Sequence, residues 1–210
     1  MNTLFLFVGH SGSGKSELIK QMVRYFPDTF KPVKTFTTRP KRDEEDDLFY
    51  HFVTKEYIDV MEEEGVLVEK IAYAGNIYAT SKIQIEETLK THNGLMAVTE
   101  HAITQLKRSG FPIYSISVWP LAKPEDIRSS ERKEEDKRRM SVPFKPNFII
   151  INSFEEGGLD EAVRELAEAM FAKIISSKVC SNVSSDTSVE SSTESLKESK
   201  ETSNQSTNIL

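Results

Sequence analysis

Eight residues near the start of the chain, Gly9-His10-Ser11-Gly12-Ser13-Gly14-Lys15-Ser16, read GxxxxGKS. Glycines at that spacing let the backbone turn tightly enough for successive N–H groups, and the N-terminus of a following helix, to converge on a phosphate. In such a loop the Lys15 ammonium reaches the β- and γ-phosphates of a nucleoside triphosphate and the Ser16 hydroxyl binds Mg²⁺. An accidental Gly/Ser turn is the alternative, but an apolar strand pattern precedes these residues and a helical one follows. The loop predicts a triphosphate or related phosphate ligand and leaves the reaction open.

A second group lies at Thr35-Phe36-Thr37-Thr38-Arg39-Pro40-Lys41-Arg42. Guanidinium forks match phosphate oxygens bidentately, and hydroxyls fill the remaining positions, so Arg39 and Arg42 behind the threonines suit a second, non-transferred phosphate. Read alone, the segment serves equally as a solvated basic loop before the acidic run Asp43 to Asp47. A third group falls between Glu125 and Arg139, six acids and six bases. On one helix Arg128, Arg132 and Arg139, spaced by four and seven, share a face and suit a cationic clamp closing over migrating phosphate, with Arg138 in reserve. The same composition equally describes a solvated helix laced with i,i+4 ion pairs. His10, His51, His92 and His101 are dispersed and form no metal-ligand pattern, and Cys180 has no histidine nearby for thiol chemistry.

Short apolar runs alternating with amphipathic stretches must position these groups, the pattern of βα units on a mainly parallel sheet. Buried strands are predicted over 4–8, 95–98, 113–118 and 148–151, and helices over 16–26, 55–64, 81–90, 100–109, 124–140 and 159–174. Between Val33 and Tyr78 the pattern changes to short strands, Phe49 to Phe52 and Val66 to Val68 among them, of a smaller inserted subdomain. Residues 176–210 contain 12 Ser, 4 Thr and no aromatic residue. Such a stretch buries too little apolar surface to offset its ordering entropy and reads as a disordered Ser/Thr-rich tail.

Taken in order, the phosphate loop, TTRxxR, Phe49-Tyr50-His51-Phe52-Val53, Leu67-Val68-Glu69 and Gly75-Asn76-Ile77-Tyr78-Ala79-Thr80 resemble the guanylate kinase family over roughly residues 3–175. The resemblance implies an α/β fold: a P-loop NTPase-type parallel sheet flanked by helices, an acceptor-binding subdomain over about 33–80 and a short lid over about 124–142. It implies ATP and Mg²⁺, with GMP or dGMP as acceptor. Carried over, it has Thr35, Arg39, Arg42, Tyr50 and Tyr78 grip the acceptor's phosphate, Glu69 and Thr80 face its base, and Asn152 lie near the adenine of ATP. A carboxylate at Glu69 suits guanine, which presents N1–H and an amine side by side where adenine does not. Tyr50 and Tyr78 read as core aromatics where that context is set aside, and Asn152 as a turn residue. The resemblance departs at Ala79, where the family carries Gly, and at Ala97 and Thr99, where it carries aspartates. Glu100, one residue on, either substitutes for the second or opens the next helix. The lid segment is also shorter than the family's.

The whole chain has 210 residues, 38% hydrophobic, a net charge of −6 and one Cys. These values exclude a collagen-like, disulfide-stapled or wholly disordered protein and argue against a nucleic-acid-coating face. Met1 to Val8 reads as a core strand rather than a signal peptide, and no apolar run approaches the roughly 20 residues of a membrane helix. The expectation is a soluble cytoplasmic protein with nucleotide substrates and neither nucleic-acid nor membrane partners; nothing in the sequence sets its oligomeric state. Two other functions remain open. One is a guanylate kinase-like module that captures a phosphorylated protein through Arg39, Arg42, Tyr50 and Tyr78. The other is a P-loop kinase for a different phosphorylated small molecule, such as a ribose bisphosphate.

Overall fold

A computed structural model describes the backbone of residues 2–121 and 144–201, and the side chains of those stretches as far as Val179 with Glu45 excepted. The predicted helix over 124–140, with Arg128, Arg132, Arg138 and Arg139, lies outside the described residues. The chain divides into two units, 1–169 and 170–210. Both sheets belong to the first.

The first strand, β1 (Leu4–Val8), reads LFLFV and is buried at every position. A strand apolar on both faces needs cover on both, the situation of a parallel sheet between helices. The strand sits at the centre of the order β2 (Phe30–Pro32), β7 (Asn93–Ala97), β1, β8 (Ile113–Pro120), β9 (Phe148–Asn152), with every neighbouring pair parallel. Its side chains alternate between faces. Leu4, Leu6 and Val8 join Met96 and Val98 in one cluster with Ile85 of α3 (Lys82–Thr91) and Ala102, Ile103 and Leu106 of α4 (Glu100–Arg108). On the opposite face Phe5 meets Phe30 and Tyr114 edge-on, ring centroids 5.9 and 5.6 Å apart. Strand β2 was not foreseen: three residues are too short to give a period.

The inserted subdomain forms a second sheet, ordered β4 (Tyr50–Phe52), β3 (Thr35–Thr37), β6 (Asn76–Ser81), β5 (Leu67–Tyr73). Strands β3 and β4 run parallel; β6 is antiparallel to both β3 and β5. Between them α2 (Lys55–Glu63) opens on Thr54, whose hydroxyl accepts the Tyr57 N–H, a standard use of threonine as an N-cap.

Strands β5 and β6 turn on Ala74-Gly75, with φ of 46° and 75° and Tyr73 opposite Asn76. Two positive φ values between paired residues match a type I′ turn, which favours Asn-Gly because Asn tolerates the left-handed region better than Ala. Ala74→Asn is expected to raise stability by about 0.5–1 kcal/mol, read as a higher urea midpoint at unchanged slope. Further along, Leu67 pairs with Ser81 but Glu69 with Thr80, so Val68 is the extra residue of a bulge. Bulges re-aim the neighbouring side chain. Here Val68 packs against the cluster beneath β1 while Glu69 faces Thr80.

The last helix, α5 (Gly158–Glu201), begins as predicted but does not end near Ile174. Helical backbone continues over 176–201. Extending an existing helix requires only local bonds, and the Ser176 and Ser177 hydroxyls donate back to the carbonyls of Lys173 and Ile174, which accommodates serine within a helix. Among the described residues no helix is long and apolar enough to cross a membrane.

Candidate functional site

The GxxxxGKS loop joins the end of β1 to α1 (Lys15–Tyr25), and its geometry demands glycine at two places. A Cβ on Gly9 would stand 2.4 Å from the Val118 carbonyl oxygen. Gly14 has a φ of 92°, and a Cβ there would come within 2.1 Å of the Asn152 Nδ2. That contact explains Asn152: buried to 3% exposure, its amide donates to the Ser13 carbonyl at 3.1 Å. Asn152 therefore supports the loop from below. Gly14→Ala is expected to lower stability by about 1–3 kcal/mol through combined strain and overlap, measured by urea unfolding, and to weaken ATP binding in a direct titration.

At the helix start the Lys15 Nζ donates to the carbonyls of Gly9 at 2.8 Å and His10 at 2.6 Å, so the ammonium curls over the loop's rim. Ser13 N–H bonds the His10 carbonyl at 3.1 Å and closes the turn. Ser11 and Gly12 complete the rim, and Ser16 follows Lys15 with an exposed side chain. The assembly offers backbone N–H groups, an ammonium and a hydroxyl around one helix N-terminus, donors suited to a chain of phosphates.

On the second sheet, Arg39 is 5% exposed. Its Nη2 donates to Asp46 Oδ1 at 2.9 Å, its Nη1 to the Pro40 carbonyl at 3.2 Å, and its guanidinium lies over the Tyr50 ring, 4.9 Å from the centroid. Tyr50 in turn meets Tyr78 edge-on at 6.0 Å, and Thr35 pairs with Tyr50 in the β3–β4 register. Burial, with a further push from Tyr78, raises the Tyr50 hydroxyl's pKa against the pull of Arg39, so the phenol is a neutral donor near pH 7. Arg42 has an exposed side chain, and its backbone N–H donates to Asp46 Oδ2 at 2.9 Å. Burial alone would raise the Asp46 carboxyl, but the hydrogen bonds from Arg39 and Arg42 and their positive charges more than offset it and hold it below the usual range.

Glu69 and Thr80 face each other across β5 and β6, 7% and 0% exposed, with the Thr80 hydroxyl donating to Glu69 Oε2 at 3.3 Å. Tyr78 and Thr80, two apart on β6, share one face of that strand. One strand thus presents a member of the Arg39 cluster and a member of the carboxylate pair. At the end of β7, Ala97 is exposed, and Thr99 caps α4 by accepting the Ala102 N–H at 3.4 Å. Glu100 is the first residue of α4, where an acid complements the helix dipole.

The structure therefore gathers Gly9, His10, Ser11, Gly12, Ser13, Gly14, Lys15 and Ser16 with Asn152, gathers Arg39, Tyr50 and Tyr78 with Thr35 alongside, and joins Glu69 to Thr80. Arg128, Arg132 and Arg139 lie outside the described residues. Asp46 was missed. Its available signal was position within an acidic run a few residues beyond two arginines, too common to single out one carboxylate.

A glycine-rich loop between the first strand of a parallel sheet and its helix, with a small polar sheet inserted after that helix, defines a P-loop protein of the nucleotide-binding α/β class. The sequence model described as guanylate kinase matches residues 1–173; the chain belongs to the guanylate kinase family. Among curated relatives, a guanylate kinase of Syntrophotalea carbinolica is 38% identical over 108 residues, 50% of this chain and 51% of that one. This chain thus spans about half the length of that relative. Guanylate kinases of Nitrosospira multiformis and Chlamydia felis are 25% and 28% identical, with 78% and 71% of this chain and 82% and 79% of theirs aligned. A crystal structure of guanylate kinase from Anaplasma phagocytophilum superimposes with a TM-score of 0.61 at 15% identity, covering 82% of this chain and 86% of that one, a likeness of fold.

Proposed function

We propose that this chain transfers the γ-phosphoryl group of ATP to GMP or dGMP. The observation that carries the reading is the pair of polar assemblies in one unit: a complete phosphate loop with Lys15 and Ser16, and a small sheet whose strand β6 presents Tyr78 beside Arg39 and Tyr50, and Thr80 beside Glu69. The first suits a triphosphate. The second suits a molecule with a phosphate at one end and a base bearing two adjacent N–H donors at the other.

In this reading an oxygen of the acceptor's phosphate attacks the γ-phosphorus in line, the bond to the β,γ-bridging oxygen breaks, and ADP leaves. No protein nucleophile is required; catalysis is positioning and charge stabilisation. Lys15 bears charge developing on the transferred group, and the loop N–H groups hold the phosphates behind it. Arg39, Arg42, Tyr50, Tyr78 and Thr35 orient the acceptor's phosphate, while Glu69 accepts from the guanine edge. Arg128, Arg132 and Arg139 are the proposed cationic cover.

Ser16 would offer Mg²⁺ its hydroxyl, and the described residues hold no group of three or more His, Cys, Asp or Glu able to cage a metal. That donor set fits a cation arriving on the triphosphate with most of its waters, the usual habit of Mg²⁺. When bound, it neutralises phosphate charge. A coupled assay for ADP release with ATP, Mg²⁺ and each of GMP, dGMP, AMP, UMP and CMP tests the reading: turnover is expected with the guanine nucleotides, and turnover with none of the five would overturn it.

A further inference from the structure

One carboxylate ties together the two arginines of the acceptor-side loop. Asp46 Oδ1 accepts from the Arg39 guanidinium at 2.9 Å and Oδ2 from the Arg42 backbone N–H at 2.9 Å. The turn that carries Asp46, Glu44 to Leu48, does not need this carboxylate for its own closure. It is capped by Asp43, whose Oδ1 accepts the Asp46 N–H at 2.9 Å. Both Asp46 oxygens instead point back at the TTRxxR segment. With Asp46 on Nη2, Pro40 on Nη1 and Tyr50 beneath the plane, the Arg39 guanidinium is fixed in rotation, and its five N–H donors exceed these two acceptors, enough to serve an oxyanion as well.

We propose that Asp46 is a positioning residue for acceptor binding: it sets the orientation of Arg39 and anchors the backbone at Arg42, and so fixes the spacing at which the pair meets the acceptor's phosphate. The inference rests on the nucleotide-kinase reading above. A buried guanidinium held by a carboxylate is preorganised; without that partner it must find its orientation while binding, and affinity falls.

The test is Asp46→Asn, with steady-state kinetics against GMP and ATP and calorimetric titration with GMP and with guanosine. Asn removes the charge and turns one acceptor into a donor facing a donor. The expected result is a KM for GMP raised about tenfold or more, the equivalent of one lost charge-assisted hydrogen bond, with kcat and the KM for ATP within about twofold. Guanosine, which lacks the phosphate, should bind both proteins equally. In an Arg39→Lys background the same substitution should add less than about twofold, since coupled residues do not add. Asp46→Glu, which keeps the charge, should recover part of the GMP affinity and serves as the second variant if the amide unfolds the chain. An unchanged KM for GMP, parallel losses for GMP and ATP, equal losses for GMP and guanosine, or full additivity with Arg39→Lys would overturn the proposal. Absence of turnover by the unmodified chain counts against the kinase reading alone; the calorimetric comparison then decides the role of Asp46 separately.

Discussion

Lys15→Ala lowers kcat/KM for ATP-dependent phosphorylation of GMP by about 10³-fold or more, on the order of 4 kcal/mol of transition-state stabilisation. The ammonium is held by the carbonyls of Gly9 and His10 at 2.8 and 2.6 Å, at the helix N-terminus where the loop's N–H groups converge. On the proposed reading the ammonium exchanges these carbonyls for phosphate oxygens a short distance away and stabilises charge developing on the migrating group. Lys15 is only partly buried, and the loop's turn is closed by backbone bonding from Ser13 to His10, so its truncation should leave the fold intact. Initial rates of the purified variant, set beside its urea midpoint, check both halves. A loss under tenfold, or a loss matched by unfolding, would count against the assignment.

Glu69→Gln lowers kcat/KM for GMP by about 10²-fold and erodes the preference for GMP over AMP, because a site built around hydrogen bonds discriminates through the groups it leaves unpaired. Glu69 and Thr80 are nearly sealed from solvent, and the Thr80 hydroxyl already donates to Oε2. An amide at 69 would set its own N–H₂ either against Thr80 or against the guanine donors. Kinetics with GMP and AMP on both proteins give the ratio directly. Neither Ala97 nor Thr99 carries a carboxylate, so on the proposed reading Glu69 is the acid expected to discriminate.

The phosphate loop was legible in the sequence because it is a backbone device: glycine spacing, the apolar strand before it and the amphipathic helix after it are all local. The parallel sheet was legible for a similar reason, since runs such as LFLFV are apolar on both faces. Less legible were features created by pairing between distant segments. The bulge at Val68 exists only in the register of β5 against β6, and it determines that Glu69 meets Thr80. Asn152 also donates its amide to the Ser13 carbonyl, a contact across 139 residues of chain that no local pattern announces. Asp46 looked like one charge in a solvated acidic run, and only the fold of the turn brings both of its oxygens onto the arginine segment.

The most direct test of the central claim is to follow the phosphorus itself. With γ-labelled ATP, GMP and Mg²⁺, the label is expected in the β-phosphate of GDP, with formation abolished by Lys15→Ala. Label appearing only as inorganic phosphate, or remaining in ATP while GMP is present and the protein folded, would contradict transfer to a guanine nucleotide.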